Sequence, residues 1–71
     1  MALGFVPEVG ENVLAWVADA WRLCRVEQTV IQAAGLSVKV VPLRWHDKRA
    51  RWVAGTLVKP LPRDWSGGDG E

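Results

Sequence analysis

The chain has little of what most catalytic and metal sites require. Its 71 residues include one cysteine, one histidine and no tyrosine. A single cysteine cannot form a disulfide within the chain or a thiolate-rich metal site. His46 has neither a second histidine nor a serine near it, so Asp47 beside it completes no metal or catalytic set. The sequence therefore predicts a non-enzymatic protein without metal or cofactor, in which Cys24 is a small core residue.

Long apolar runs are also absent. No stretch approaches the roughly 18–20 apolar residues of a membrane-spanning helix. The N-terminal MALGFVPEVGE has neither a basic start nor a long apolar core, so we expect no secretory signal. These features, with the single thiol, favour an intracellular location in cytoplasm or nucleus, or within a particle assembled there, and no membrane partner.

What the chain does have is tryptophan, with Trp 5 against Phe 1. Each indole buries roughly 150–250 Å², which helps a domain this small because it hides only about 60% of its unfolded surface. We expect Trp21 and Trp52 to fill the core and Trp45, among charges, to make contacts. We also expect one domain over residues 1–65 and a disordered, glycine-rich tail at 66–71.

Residues 11–25 fit two folds. At about 100° per residue they form an amphipathic helix with Val13, Val17 and Trp21 on its apolar face. This alternative predicts an α+β fold in which a helix over 11–25 packs on a β-hairpin. As strands, the same residues would turn at Ala18-Asp19-Ala20, and Trp16 would point away from Val13 and Val17. The β-branched residues that follow Arg25 favour the strands.

The second half of the chain indicates a strand, a turn and a strand between residues 36 and 59. LSVKVVPL, residues 36–43, alternates in the manner of a strand, and Pro42 confines it to an edge, a bulge or a strand end. The polar residues 46–49 suit a turn. A second apolar run begins at Arg51, and residues 57–62 form a short extended segment after Gly55.

Charge is concentrated in that turn. The whole chain has a formal net charge of +1, which predicts no bulk attraction to nucleic acid. Four cations and one carboxylate between residues 44 and 51 give a local charge of +3: Arg44, Lys48, Arg49 and Arg51 against Asp47. Trp45 lies among them, as in surfaces where aromatics stack on bases and arginines hold phosphates. This basic edge indicates a protein partner, or weak nucleic-acid binding.

Five motifs in order carry a resemblance to a known family. They are Val9 to Ala15, Asp19 to Val26, Val38 to Val40, Asp47, and Val53 with Leu57 to Pro62. The series resembles a Tudor or agenet domain of the small SH3-like barrel class, over about residues 9–62. The resemblance implies an all-β, five-stranded barrel that binds methylated lysine or arginine in an aromatic cage with an acid.

The cage implied by this resemblance departs from the family pattern. Arg22 stands where the family has a tyrosine after the tryptophan. Trp16 and Trp45 would supply the rings, and Asp19 or Asp47 the acid. We therefore expect an interaction module that binds a peptide or protein through Trp16, Asp19, Arg22, Trp45 and Asp47. The alternatives are a structural subunit of a virion or ribonucleoprotein assembly, and weak nucleic-acid binding at the Arg44–Arg51 edge.

Overall fold

Five β-strands make up the fold, in a computed structural model that describes residues 6–62. They are β1 (Asn12–Val17), β2 (Ala20–Gln32), β3 (Gly35–Pro42), β4 (Arg51–Ala54) and β5 (Val58–Pro60), with a single 3-10 turn at Gly55–Leu57. The predicted all-β class is confirmed, and the alternative with a helix over 11–25 is wrong. No helix in residues 6–62 could cross a membrane. The predicted tail at 66–71 lies outside the described residues.

β1 shows why helical periodicity was misleading. Val13, Leu14 and Ala15 are consecutive and all buried, so this strand packs on both of its faces. An apolar run buried on two faces contains apolar residues at helical spacing as well as at strand spacing, and periodicity cannot separate the two. The β1–β2 turn decides the question. Ala18 and Asp19 have φ values of 53° and 63°, which identify a two-residue hairpin turn of the primed type.

The strands form one antiparallel sheet in the order β4-β3-β2-β1-β5. The last strand returns to pair with the first, Val58 lying opposite Ala15. β4 and β5 are the two edges, so the sheet is not closed by hydrogen bonds. It curls all the same, because β4 contacts β1 without pairing with it. This is the small five-stranded architecture that the sequence predicted.

Small side chains fill the core, in place of the predicted tryptophans. The buried cluster consists of Val13, Ala15, Val17, Cys24, Val26, Val38, Val40 and Val58. Cys24 is fully buried, as expected. The prediction that Trp21 and Trp52 fill the core is wrong: Trp21 is half-buried and Trp52 is 49% exposed. Strand alternation is the reason, since Trp52 lies opposite Lys39 and points away from the face that Val38 and Val53 share.

A bulge in β2 changes which residues face outward. Up to Val26 the strand alternates as predicted, with Cys24 and Val26 buried and Arg25 exposed. The register with β3 then shifts between Val26 and Gln28. An extra residue in one strand reverses the order of inward and outward side chains beyond it. Val30 is consequently placed opposite Ser37, on the outer face with Trp52.

Candidate partner-binding site

Trp45 is the centre of the most charged part of the structure. It lies in the loop between β3 and β4, is half-buried, and packs against the core cluster. The Arg22 guanidinium carbon lies 4.3 Å from the centroid of its ring, and that of Arg51 lies 5.3 Å away. Both distances are within the reach of cation–π attraction. The His46 ring lies against the same indole, with centroids 4.9 Å apart.

Arg22 reaches Trp45 because the β1–β2 hairpin holds its guanidinium. Its Nε donates to the Val17 carbonyl at 2.8 Å, and its Nη2 donates to the Ala18 carbonyl at 3.4 Å. Residue 22 lies opposite Ala15 in the register, so its side chain is on the core side of the sheet. The tight turn therefore supplies carbonyl groups that orient a cation toward a loop more than twenty residues away in sequence.

Asp47 organises the rest of the loop. It accepts bonds from the Nε and Nη2 of Arg49 at 3.1 and 3.0 Å, and from the Arg49 backbone N–H at 3.2 Å. Asp47 also forms an ion pair with Arg51, whose Nη2 lies 3.2 Å from Oδ1 of the carboxylate. The side-chain hydrogen bond from Arg49 is the main reason that the pKa of Asp47 is held well below its usual range. The same pair raises the pKa of Arg49.

Lys48 closes the loop on itself. Its Nζ donates to the carbonyl of Leu43 at 2.8 Å and to that of Trp45 at 2.9 Å. A primary ammonium has three donors, so one further donor can meet a ligand. Arg49 remains 85% exposed even while it binds Asp47. The loop is thus shaped by its own charges and still presents donors to solvent.

Folding makes the basic region stronger than the sequence indicated. We call it the Trp45 site, defined as Arg22, Arg44, Trp45, Asp47, Lys48, Arg49 and Arg51. Arg22 joins the four cations of the loop, so the residues of this site include five positive charges and the negative charge of Asp47, a sum of +4. Such a surface attracts anions, with a strength that salt reduces.

Trp16 belongs to a different cluster. It lies opposite Trp21 in the β1–β2 register, and the two rings meet edge to face with centroids 5.5 Å apart. The Nζ of Lys59 lies 4.3 Å from the centroid of Trp21. Trp16 alternates with the buried Val17, so this cluster is on the outer face, whereas Trp45 packs against the core.

The predicted site residues are therefore only partly brought together. Arg22, Trp45 and Asp47 share one site with the basic edge, while Trp16 lies on the opposite face. Asp19 is exposed in the β1–β2 turn. Sequence reasoning missed Lys59 and the outward position of Trp21. The signal was the symmetry of Trp16 and Trp21 about the turn at residues 18–19, which places the two directly opposite each other in a hairpin.

Residues 6–62 contain no group of three or more histidine, cysteine, aspartate or glutamate side chains placed to hold a metal ion. A shallow, open depression of about 260 Å³ lies on the outer face of β2, β3 and β4, lined by Val30, Gln32, Ser37 and Trp52. No titratable group lines it.

No family model, curated protein or solved structure matches this chain.

Proposed function

We propose that the protein is a non-enzymatic interaction module that binds an acidic segment of a partner protein at the Trp45 site. The observation that carries this proposal is that Arg22 and Arg51 lie over the Trp45 ring while Asp47 binds Arg49 and Arg51, which places three guanidinium groups around one indole and one carboxylate. Arg22 and Arg51 are held in place before any ligand arrives, by carbonyl groups and by Asp47 respectively. Preorganised donors of this kind lose little side-chain entropy when they bind a carboxylate.

The arrangement supports an anionic ligand better than the methylated lysine or arginine that the Tudor resemblance implies. A methylammonium needs a free ring face and a free acid. The ring of Trp45 already has two guanidinium groups over it, and that of Trp21 has Lys59. Asp47 already binds Arg49 and Arg51. A cationic ligand would have to displace these groups and enter a region of like charge.

The same contacts favour a protein over a nucleic acid. Sequence-independent binding of single strands combines phosphate contacts with bases stacked on aromatic rings. Trp45 has its ring engaged by Arg22 and Arg51, so it offers little surface to a base. Carboxylates need only the guanidinium and ammonium donors, which the site supplies in quantity.

The test is binding of a fluorescein-labelled peptide of alternating glutamate and serine, followed by fluorescence anisotropy at low salt. We expect saturable binding that weakens with added salt. Arg22→Gln should weaken it about fivefold, since a partly exposed charge contact contributes about 1 kcal/mol. Arg25→Gln is the matched control, because Arg25 is an exposed arginine of the same strand outside the Trp45 site.

Three results would count against the proposal. One is equal affinity for the glutamate–serine peptide and a lysine–serine peptide. Another is an equal loss of peptide affinity in Arg22→Gln and Arg25→Gln, which would show that the peptide responds only to the net charge of the protein. The third is much tighter binding of a short oligothymidine than of the acidic peptide, which would make nucleic acid the ligand.

A further inference from the structure

We propose that β4 is the docking edge for this partner, whose segment adds to the sheet as an extended strand. Its acidic side chain would lie opposite Arg51 and its next, apolar side chain opposite Trp52. This inference rests on the proposed function, because it assigns the conformation and the side-chain pattern of the acidic segment. It is carried by the difference between the two edges of the sheet and by what surrounds β4.

The two edges differ in their capacity to accept a strand. β5 has three residues, one of which, Pro60, has no backbone N–H to donate. Lysine and proline are the residues with which natural proteins block an edge, and Lys59 and Pro60 provide both. β4, residues Arg51–Ala54, contains neither, and among the described residues it pairs only with β3. In an antiparallel sheet, alternate residues of an edge strand direct their N–H and C=O groups away from the neighbouring strand, within the plane of the sheet, where a further strand could pair with them.

A depression with a mixed polar and apolar lining lies beside the β4 edge. Trp52 is 49% exposed, and the depression it lines continues across the outer face to Val30 on β2. A large exposed indole at the rim of such a depression is the kind of surface that anchors partner side chains. A strand added at β4 would direct every second side chain to the face on which Trp52 lies, and one of them would be opposite Trp52 itself.

Arg51 supplies the charge on the opposite face of the same strand. It alternates with Trp52, and its guanidinium lies over Trp45 and beside Asp47. Directly opposite residues of paired strands have Cβ atoms about 4.5–5.5 Å apart. A glutamate opposite Arg51 would therefore reach the Trp45 site, while its neighbour packs on Trp52. The chemistry predicts alternating acidic and apolar residues.

Charge also decides against a second copy of this chain as the occupant. Pairing two β4 strands would add to one interface the net charge of Arg49, Arg51 and Asp47 from each chain, which is +1 per copy. Like charges in such proximity oppose association. An acidic segment neutralises the same groups.

The experiment compares labelled peptides on the full chain. The probe is a peptide of glutamate–valine repeats, and the controls are a block peptide of the same composition and a repeat peptide N-methylated at alternate backbone nitrogens. We expect the repeat peptide to bind at least about tenfold more tightly than either control, because only it combines the side-chain alternation with strand hydrogen bonds. Trp52→Thr should weaken the repeat peptide severalfold, while the matched Ile31→Thr, at another exposed strand residue, should not.

Amide exchange supplies the second readout. The outward N–H groups of β4 should exchange quickly in the free protein and slow down on adding the repeat peptide. Protection of those groups without peptide would overturn the proposal, since another part of the chain or a second copy would then occupy the edge. Sedimentation at increasing concentration identifies the second copy.

The two proposals fail in different ways. If acidic peptides bind with dependence on Arg22 but N-methylation and Trp52→Thr have no effect, strand addition is refuted and the acidic-partner function stands. If neither the glutamate–serine nor the glutamate–valine peptide binds, both fall.

Discussion

Replacing Ala18 by glycine should stabilise this protein, although the same change in most places would do the opposite. Ala18 has φ = 53° in the β1–β2 turn. Its Cβ makes the left-handed conformation cost about 1–2 kcal/mol, and glycine removes that cost. Glycine also raises the conformational entropy of the unfolded chain, which lowers the free energy of unfolding by about 0.4–1 kcal/mol. The free energy of unfolding should therefore rise by about 0.5–1 kcal/mol.

The matched control is Ala20→Gly, two residues further along the same hairpin. Ala20 begins β2 and has no positive φ. Glycine there has no strain to relieve and should lower the free energy of unfolding by about 0.5–1 kcal/mol. The two variants have the same composition, so a difference in sign between them reports the backbone conformation at residue 18.

Thermal unfolding followed by circular dichroism measures both variants. For a domain of this size 1 kcal/mol moves Tm by about 4–8 °C, so Ala18→Gly should raise Tm by about 2–8 °C. The reasoning would be refuted if Ala18→Gly lowered stability as Ala20→Gly does. If residues 11–25 were a helix, replacing an alanine in its middle by glycine would lower the free energy of unfolding by about 0.8–1 kcal/mol.

Two further predictions test the core and the loop. Val38 is fully buried among other small side chains, so Val38→Ala should cost about 1.5–3 kcal/mol in urea unfolding, and a cost near zero would show that the site is not a packed core. Asp47 has its pKa lowered chiefly by the Arg49 hydrogen bond. Its carboxylate carbon should therefore still show an ionised NMR shift at pH 3, and Arg49→Gln should move its titration only part of the way back to the ordinary range, since the backbone N–H of residue 49 and the charge of Arg51 remain.

The sign of the Asp47 effect on stability follows from the direction of its pKa shift. A carboxyl group with a lowered pKa in the folded state stabilises that state above its ordinary pKa near 4. That contribution is lost only as the pH falls further, through the lowered value. The Asp47 contacts should hence be intact across the neutral range, and salt should weaken them because the Arg49 side chain is 85% exposed to solvent.

The strands could be read from local pattern wherever one face is buried and the other is not. Val38 and Val40 alternate with Lys39, and the structure places them in β3 as predicted. The turns carried weaker signals, since Asp19 is the polar residue of the first turn and the second contains Ala33 and Ala34 before Gly35. β1 was ambiguous because both of its faces are buried, which removes the contrast on which periodicity depends.

The tryptophans could not be placed in this way. A bulky apolar side chain is normally assigned to the core, yet the eight residues of the buried cluster are all valine, alanine or cysteine, and the four described indoles are half-buried or exposed. Strand alternation directs Trp21 and Trp52 outward, and which face of each strand becomes the inside depends on its register with its neighbours. Local composition contains no information about that register.

By itself, the sequence determined the strand pattern of the second half of the chain and a basic loop that contains Trp45, because alternation, turn residues and charge are properties of neighbouring positions. Only the tertiary structure decided that Arg22 lies over Trp45 and that Trp16 faces away from it. It also decided that β4 is an edge without proline or lysine. Contacts between residues far apart in the chain depend on pairing order and register, which form only when the whole sheet assembles.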